Sequence, residues 1–235
     1  MRSQLFDVSH AEVSTGDRWA LQNPQMLRVG LGDDVLAAKG SMVAYQGQVR
    51  FDHESAGSLG RLLKKVVTSE DTPLMRASGR GEVFFARTAE HVFLVQLEGD
   101  GLSVDGKNLL AFDASVSWDI RRLQGAGMAS GGLFNLELTG HGVVAVTSDG
   151  PPVLLDCSAQ PTYVDVQAAV AWSSNLQPQV VSSVNMRSML RGGTGEAVQY
   201  AFSGPGFVVV QPSEGQPVVL GGGGNQGGLL GNLLT

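Results

Sequence analysis

Residues 101–108, Gly101-Leu102-Ser103-Val104-Asp105-Gly106-Lys107-Asn108, come within one residue of a phosphate-binding loop. In that motif glycine-rich backbone cradles phosphate, and a Ser or Thr after the lysine holds magnesium. Asn108 stands where the hydroxyl is needed. Leu102 and Val104 alternate as in a strand, and Asp105-Gly106 is a strong hairpin signal, so the segment is expected to be a hairpin. His10, His53, His91 and His141 share no metal-ligand spacing with one another or with Cys157. His53, between Asp52 and Glu54, reads as part of a polar loop, and His141 as a solvated corner residue. Cys157 would need an organised base to act as a nucleophile. A lone thiol is more often a small buried hydrophobe. No Gly-x-Ser-x-Gly elbow occurs. The expectation is a chain with no catalytic residue, no cofactor and no bound metal.

Composition narrows the partners. The 235 residues carry a net charge of −6, which argues against a nucleic-acid partner, since such a partner calls for a clustered basic face. Apolar residues make up 43%, enough for a core and too many for disorder. The single cysteine forms no disulfide framework and suits a reducing compartment. The longest apolar run, Ala168 to Trp172, is far short of the ~20 residues of a spanning helix. The N-terminus lacks the apolar stretch of a signal peptide. A cytoplasmic location is expected.

The elements that carry these residues recur. An apolar-Ala-aromatic triplet, followed four residues later by an apolar residue, occurs as Val43-Ala44-Tyr45 with Val49. It returns as Leu110-Ala111-Phe112 with Val116, and as Val170-Ala171-Trp172 with Leu176. A hydroxyl residue and Gly-x-Gly before an apolar run occurs at Ser78 to Gly81, Thr139 to Gly142 and Ser203 to Gly206. The aromatic residues are 67 and 60 positions apart (45 to 112 to 172), and the glycine motifs 61 and 64 (81 to 142 to 206). Two patterns in the same order at one period indicate an internal triplication. Alternating and β-branched runs bounded by glycine make each copy β-structure. Gly79, Gly81, Gly140, Gly142, Gly204 and Gly206 are expected to form structural hairpin turns. No helix pattern follows them, so a phosphate site is not expected.

These spacings predict an N-terminal edge segment at 1–19, β-repeats at 20–88, 89–149 and 150–220, and a flexible glycine-rich tail at 221–235. The units should surround an approximate threefold axis, with Tyr45, Phe112 and Trp172 equivalent. One segment departs from the β pattern. Leu59, Leu62, Leu63, Val66 and Val67 fall on one helical face, which predicts a short amphipathic helix near 58–68 inserted in repeat one. Arg61, Lys64 and Lys65 lie off that face as candidate interaction residues. Packing on the sheet is preferred to membrane contact, because the net charge opposes adhesion to anionic lipid. Leu229, Leu230, Leu233 and Leu234 form two leucine pairs on the glycine tether, and they could dock on a partner.

The string Gln199 to Gln211, preceded by Gly195-Glu196, resembles the closing motif of the mitochondrial biogenesis family named for altered inheritance of mitochondria. The insertion Gly57 to Lys65 resembles that family's glycine-and-leucine helix, and the Ala-aromatic strands match it as well. The resemblance spans roughly residues 20–212. It implies three units like the tryptophan RNA-binding attenuator protein, each a double-stranded β-helix, without implying RNA binding. It supplies no catalytic residue. The function expected is a non-enzymatic scaffold or binding module, a homo-oligomer with a further protein partner. The alternative is a small-ligand-binding or metal-dependent β-helix enzyme with its pocket between repeats.

Overall fold

A computed structural model describes residues 1–54, 74–122, 134–181 and 198–214 of the chain. Within them the protein is all-β and antiparallel. The first segment contributes β1 (Trp19–Asn23), β2 (Met26–Leu31), β3 (Val35–Ala38), β4 (Met42–His53) and β5 (Leu74–Phe85). The second contributes β6 (His91–Asp105), β7 (Leu109–Asp113), β8 (Ser117–Arg122) and β9 (Phe134–Ser148). The third contributes β10 (Val153–Asp156), β11 (Thr162–Asp165), β12 (Ala169–Ser173), β13 (Gln179–Val181), β14 (Gln199–Phe202) and β15 (Phe207–Val210). Twelve strands form one sheet in the order β1-β2-β5-β3-β7-β9-β6-β12-β15-β10, with β4 on β5 and β8 on β9. The other three form a sheet in the order β11-β14-β13.

The register shows how each segment closes over a core. Asp105 lies opposite Asn135, and Leu109, four residues on, lies opposite Val146. A straight strand would put Asn135 and Val146 about 36 Å apart. A four-residue link plus two cross-strand gaps spans at most roughly 25 Å. The strand must therefore fold back, so that its two halves face each other. The same construction appears with Ala38 opposite Leu74 and Met42 opposite Phe85, and again with Asp165 opposite Gln199 and Ala169 opposite Val210. Three clusters fill the space between the halves. One gathers around Leu27, Val83 and Phe85, a second around Leu97, Phe112 and Leu138, and a third around Trp172, Tyr200 and Phe202.

The Ala-aromatic triplets sit in matching register. Each strand has a bulge just before its alanine. Tyr45, Phe112 and Trp172 then face Val83, Val144 and Val208, the second residue after each Gly-x-Gly. The carbonyls of Ser41, Asn108 and Ala168 accept from the N–H groups of Ala86, Thr147 and Gln211.

Three expectations are corrected. The glycine pairs are not hairpin turns. Gly79 and Gly81 lie inside β5, Gly140 and Gly142 inside β9, and Gly204 to Gly206 joins β14 to β15, which do not pair with each other. They are the bends that fold each strand back. The first glycine of each pair has φ of +113°, +112° or +121°, and the second +144°, +149° or +149°, a region that side chains avoid. Asp105-Gly106 does form a tight turn, with Asn108 N–H donating to the Asp105 carbonyl at 2.8 Å. The strands it joins flank β9 instead of pairing together, so it is no hairpin. The N-terminal segment is not an edge strand before Trp19. Ser3 and Asp7 accept from the N–H groups of Leu5 and Ser9, which curls the chain into two short 3-10 turns. The helix expected at 58–68, with Arg61, Lys64 and Lys65, lies outside the described residues, as do Gly195-Glu196 and the tail with Leu229, Leu230, Leu233 and Leu234. No helix among the described residues is long and apolar enough to cross a membrane.

Candidate functional site

A cleft of about 410 Å³ opens where the second and third segments meet. Its position follows from the pairing of β6 with β12, in which Ser103 faces Trp172 and Val104 faces Ala171. Ser103 from β6 and Asn135 from β9 line it, with Arg121, Glu137, Trp172 and Gln179 around them. Asn135 is buried and its side-chain oxygen has no hydrogen-bond partner. Arg121 is held by Glu137 at 3.0 Å and Asp119 at 3.4 Å. Leaving a buried amide oxygen unpaired costs about 1–3 kcal/mol.

The corresponding place between the first and second segments is built differently. Leu36 faces Phe112 as Ser103 faces Trp172, and Leu74 stands opposite Ala38 as Asn135 stands opposite Asp105. Both leucines are fully buried. One junction is thus closed by leucines and the other has a polar floor. Overlaying the two sequence periods would have revealed that swap, because Ser103 and Asn135 are polar at a core phase of the pattern.

The remaining candidates are scattered. Cys157 is 1% exposed in the third cluster, with its thiol 3.8 Å from the Leu155 carbonyl. His141 is exposed at the β9 bend, paired across from Glu98. Among the described residues no three His, Cys, Asp or Glu side chains come together as a metal site. The Asp113 carboxylate is a polar junction that sequence reasoning missed. It pairs with Arg18, and it accepts from Trp19 Nε1 at 3.1 Å and from Val143 N–H at 2.8 Å.

Burial pushes the Asp105 carboxyl above the usual aspartate range, against the opposing pull of Lys107 and Arg87. The penalty on the folded state is absent below the unfolded value of 3.8 and sets in as pH rises from there through the folded value. Asp105→Asn keeps an oxygen for the Lys107 N–H, which now donates to Asp105 Oδ1 at 3.0 Å. It should therefore raise the melting temperature at neutral pH, with the gain fading towards pH 3.8. A thermal-melt series across pH checks this, and a gain that grows on acidification would overturn it.

The model of the family described as Mitochondrial biogenesis AIM24 matches residues 19–213. The chain belongs to that family. It is also similar to the crystal structure of a Streptococcus pyogenes protein solved as a structural-genomics target. That likeness has a TM-score of 0.67 at 22% identity, over 82% of this chain and 91% of the other, and it speaks for the fold alone. No curated protein matches the chain. The AIM24 match takes in every described strand from β1 to β15.

Proposed function

We propose that this AIM24-family chain is a non-enzymatic binding module or scaffold, cytoplasmic, built from one β-unit laid down three times and assembling with copies of itself. Membership of a family described as Mitochondrial biogenesis AIM24 supports a biogenesis-related role for it. The reading of three units is supported by the shared bulges, registers and glycine conformations. What carries the binding reading is the contrast between the Ala-aromatic strands. β7 and β12 are enclosed between neighbours, whereas β4 is exposed from Val43 to Gln48. Such a face suits contact with another protein surface. Incubating the purified protein with extract of its native cell, and following small molecules by mass spectrometry, should show no turnover. Elemental analysis should show no stoichiometric iron, zinc or manganese. Turnover, or a full complement of one such metal, would overturn the non-enzymatic reading.

The cleft favours a second reading, a binder of a small polar ligand, because the unpaired Asn135 oxygen calls for a donor. Native mass spectrometry of gently purified protein tests it. A retained small molecule lost in Asn135→Leu, with the fold intact, would favour this reading.

A further inference from the structure

We propose that the chain joins head to tail with a second copy, with β4 of one copy adding as a strand to β11 of the next and Tyr45 facing Tyr163. The proposal rests on the self-assembling reading above and supplies its interface. The chain already makes this junction twice. Leu36 on β3 faces Phe112 on β7, flanked by Ala37 with Ala111. Ser103 on β6 faces Trp172 on β12, flanked by Val104 with Ala171. Beyond the aromatic strands, Ala114 N–H donates to the Asp34 carbonyl at 3.2 Å, and Ser174 N–H to the Gly101 carbonyl at 3.1 Å.

Both halves of a third such junction are present and are not joined. On the receiving side, Leu36 lies opposite Arg76, Ser103 opposite Glu137, and Tyr163 opposite Ala201. Each partner stands five residues before the second glycine of its motif, so β11 presents Tyr163 where the other segments present Leu36 and Ser103. On the donating side, Tyr45 shares the register of Phe112 and Trp172. Among the described residues β4 pairs only with β5, and β11 only with β14. The exposures match. Phe112 and Trp172 are 0% and 1% exposed, but Tyr45 is 50% and Tyr163 60%.

Unpaired strand edges usually carry lysine, proline or a bulge that blocks pairing. Residues 43–48, Val-Ala-Tyr-Gln-Gly-Gln, contain no charge and no proline, and the bulge before Ala44 is one that β7 and β12 also carry while pairing with β3 and β6. They offer an apolar aromatic edge that a strand can extend. The two edges are different surfaces, so one contact always leaves an edge free at each end. Copies therefore add until a ring closes, or they continue as a filament.

The full chain in light scattering should form assemblies larger than a dimer. Tyr45→Asp and Tyr163→Asp should each be monomeric, with an unchanged circular dichroism spectrum because both residues are exposed. Mixed in equal amounts, they should form a 1:1 dimer and nothing larger, since only one intact β4 and one intact β11 remain. Tyr45→Cys with Tyr163→Cys in one chain should oxidise to a ladder of linked chains, while Tyr45→Cys with Val153→Cys should not. A monomeric wild type would overturn the proposal and leave these edges to another occupant, with the non-enzymatic reading still judged by its own turnover and metal tests. An assembly that both Asp variants leave intact, or one they dissolve without restoring the mixed dimer, would keep self-association and overturn this junction.

Discussion

Gly81→Ala should leave little folded protein, while Gly140→Ala should be tolerated. Both glycines have positive φ, +144° at Gly81 and +112° at Gly140, so each alanine meets a backbone penalty of about 1–3 kcal/mol. Their surroundings differ. A Cβ at Gly140 would meet nothing within 4 Å. At Gly81 it would overlap the Gln46 carbonyl oxygen and lie only 3.1 Å from Gly47 Cα. These atoms belong to the backbone of β4, and Gln46 is the register partner of Glu82. No rotamer change relieves the clash, so β4 and β5 must separate and break ladder hydrogen bonds worth about 1 kcal/mol each. The sum is several kcal/mol against a typical total of about 5–15. Denaturant titration of both variants checks this. Equal losses would show that β4 does not approach Gly81 so closely.

That comparison also shows where the sequence is informative. Strand content was legible because alternation and β-branched runs are local. The matching registers of Tyr45, Phe112 and Trp172 were legible because two patterns shared one period. The role of the glycines was not. Gly204-Pro205-Gly206 fits a hairpin turn or a bend between layers equally well, and the difference lies in whether β14 and β15 pair with each other. That is decided by contacts far away in sequence. The enclosure of Phe112 beside the exposure of Tyr45 has the same origin. Triplets of one pattern acquire different surroundings because β3 covers β7, while no described strand covers the outer edge of β4. The polar cleft needed a further step, in which Ser103 and Asn135 are compared with Leu36 and Leu74 across the period.

Asp113 illustrates the limit most sharply, and its replacement should have the second large effect. Nothing local links it to Arg18, 95 residues away, yet the two form an ion pair that fastens the N-terminal strand to the second segment. Arg18 also donates to the Asp33 carbonyl at 2.9 Å. Asp113→Ala would strand the guanidinium, the Trp19 indole N–H and the Val143 N–H together. Arg18 is only part-buried and keeps the Asp33 carbonyl, so its share is below the roughly 3–5 kcal/mol of a fully buried pair. Two orphaned N–H groups at about 1–3 kcal/mol each bring the total to about that figure. At roughly 2–4 °C per kcal/mol for a chain of this size, the melting temperature should fall by about 10 °C. The third segment supplies a graded control. There Ser173 occupies the matching place, and its hydroxyl accepts from Phe207 N–H at 3.0 Å, as Asp113 accepts from Val143 N–H. Asp113→Ser should therefore keep that bond and lose less than Asp113→Ala. Combining Asp113→Ser with Arg18→Met removes the orphaned charge as well, so the double variant should be more stable than the two single losses added together. Additive losses would mean that Arg18 and Asp113 act independently. A loss within about 0.5 kcal/mol for Asp113→Ala would place the residue with ordinary surface positions and remove it as the fastening point.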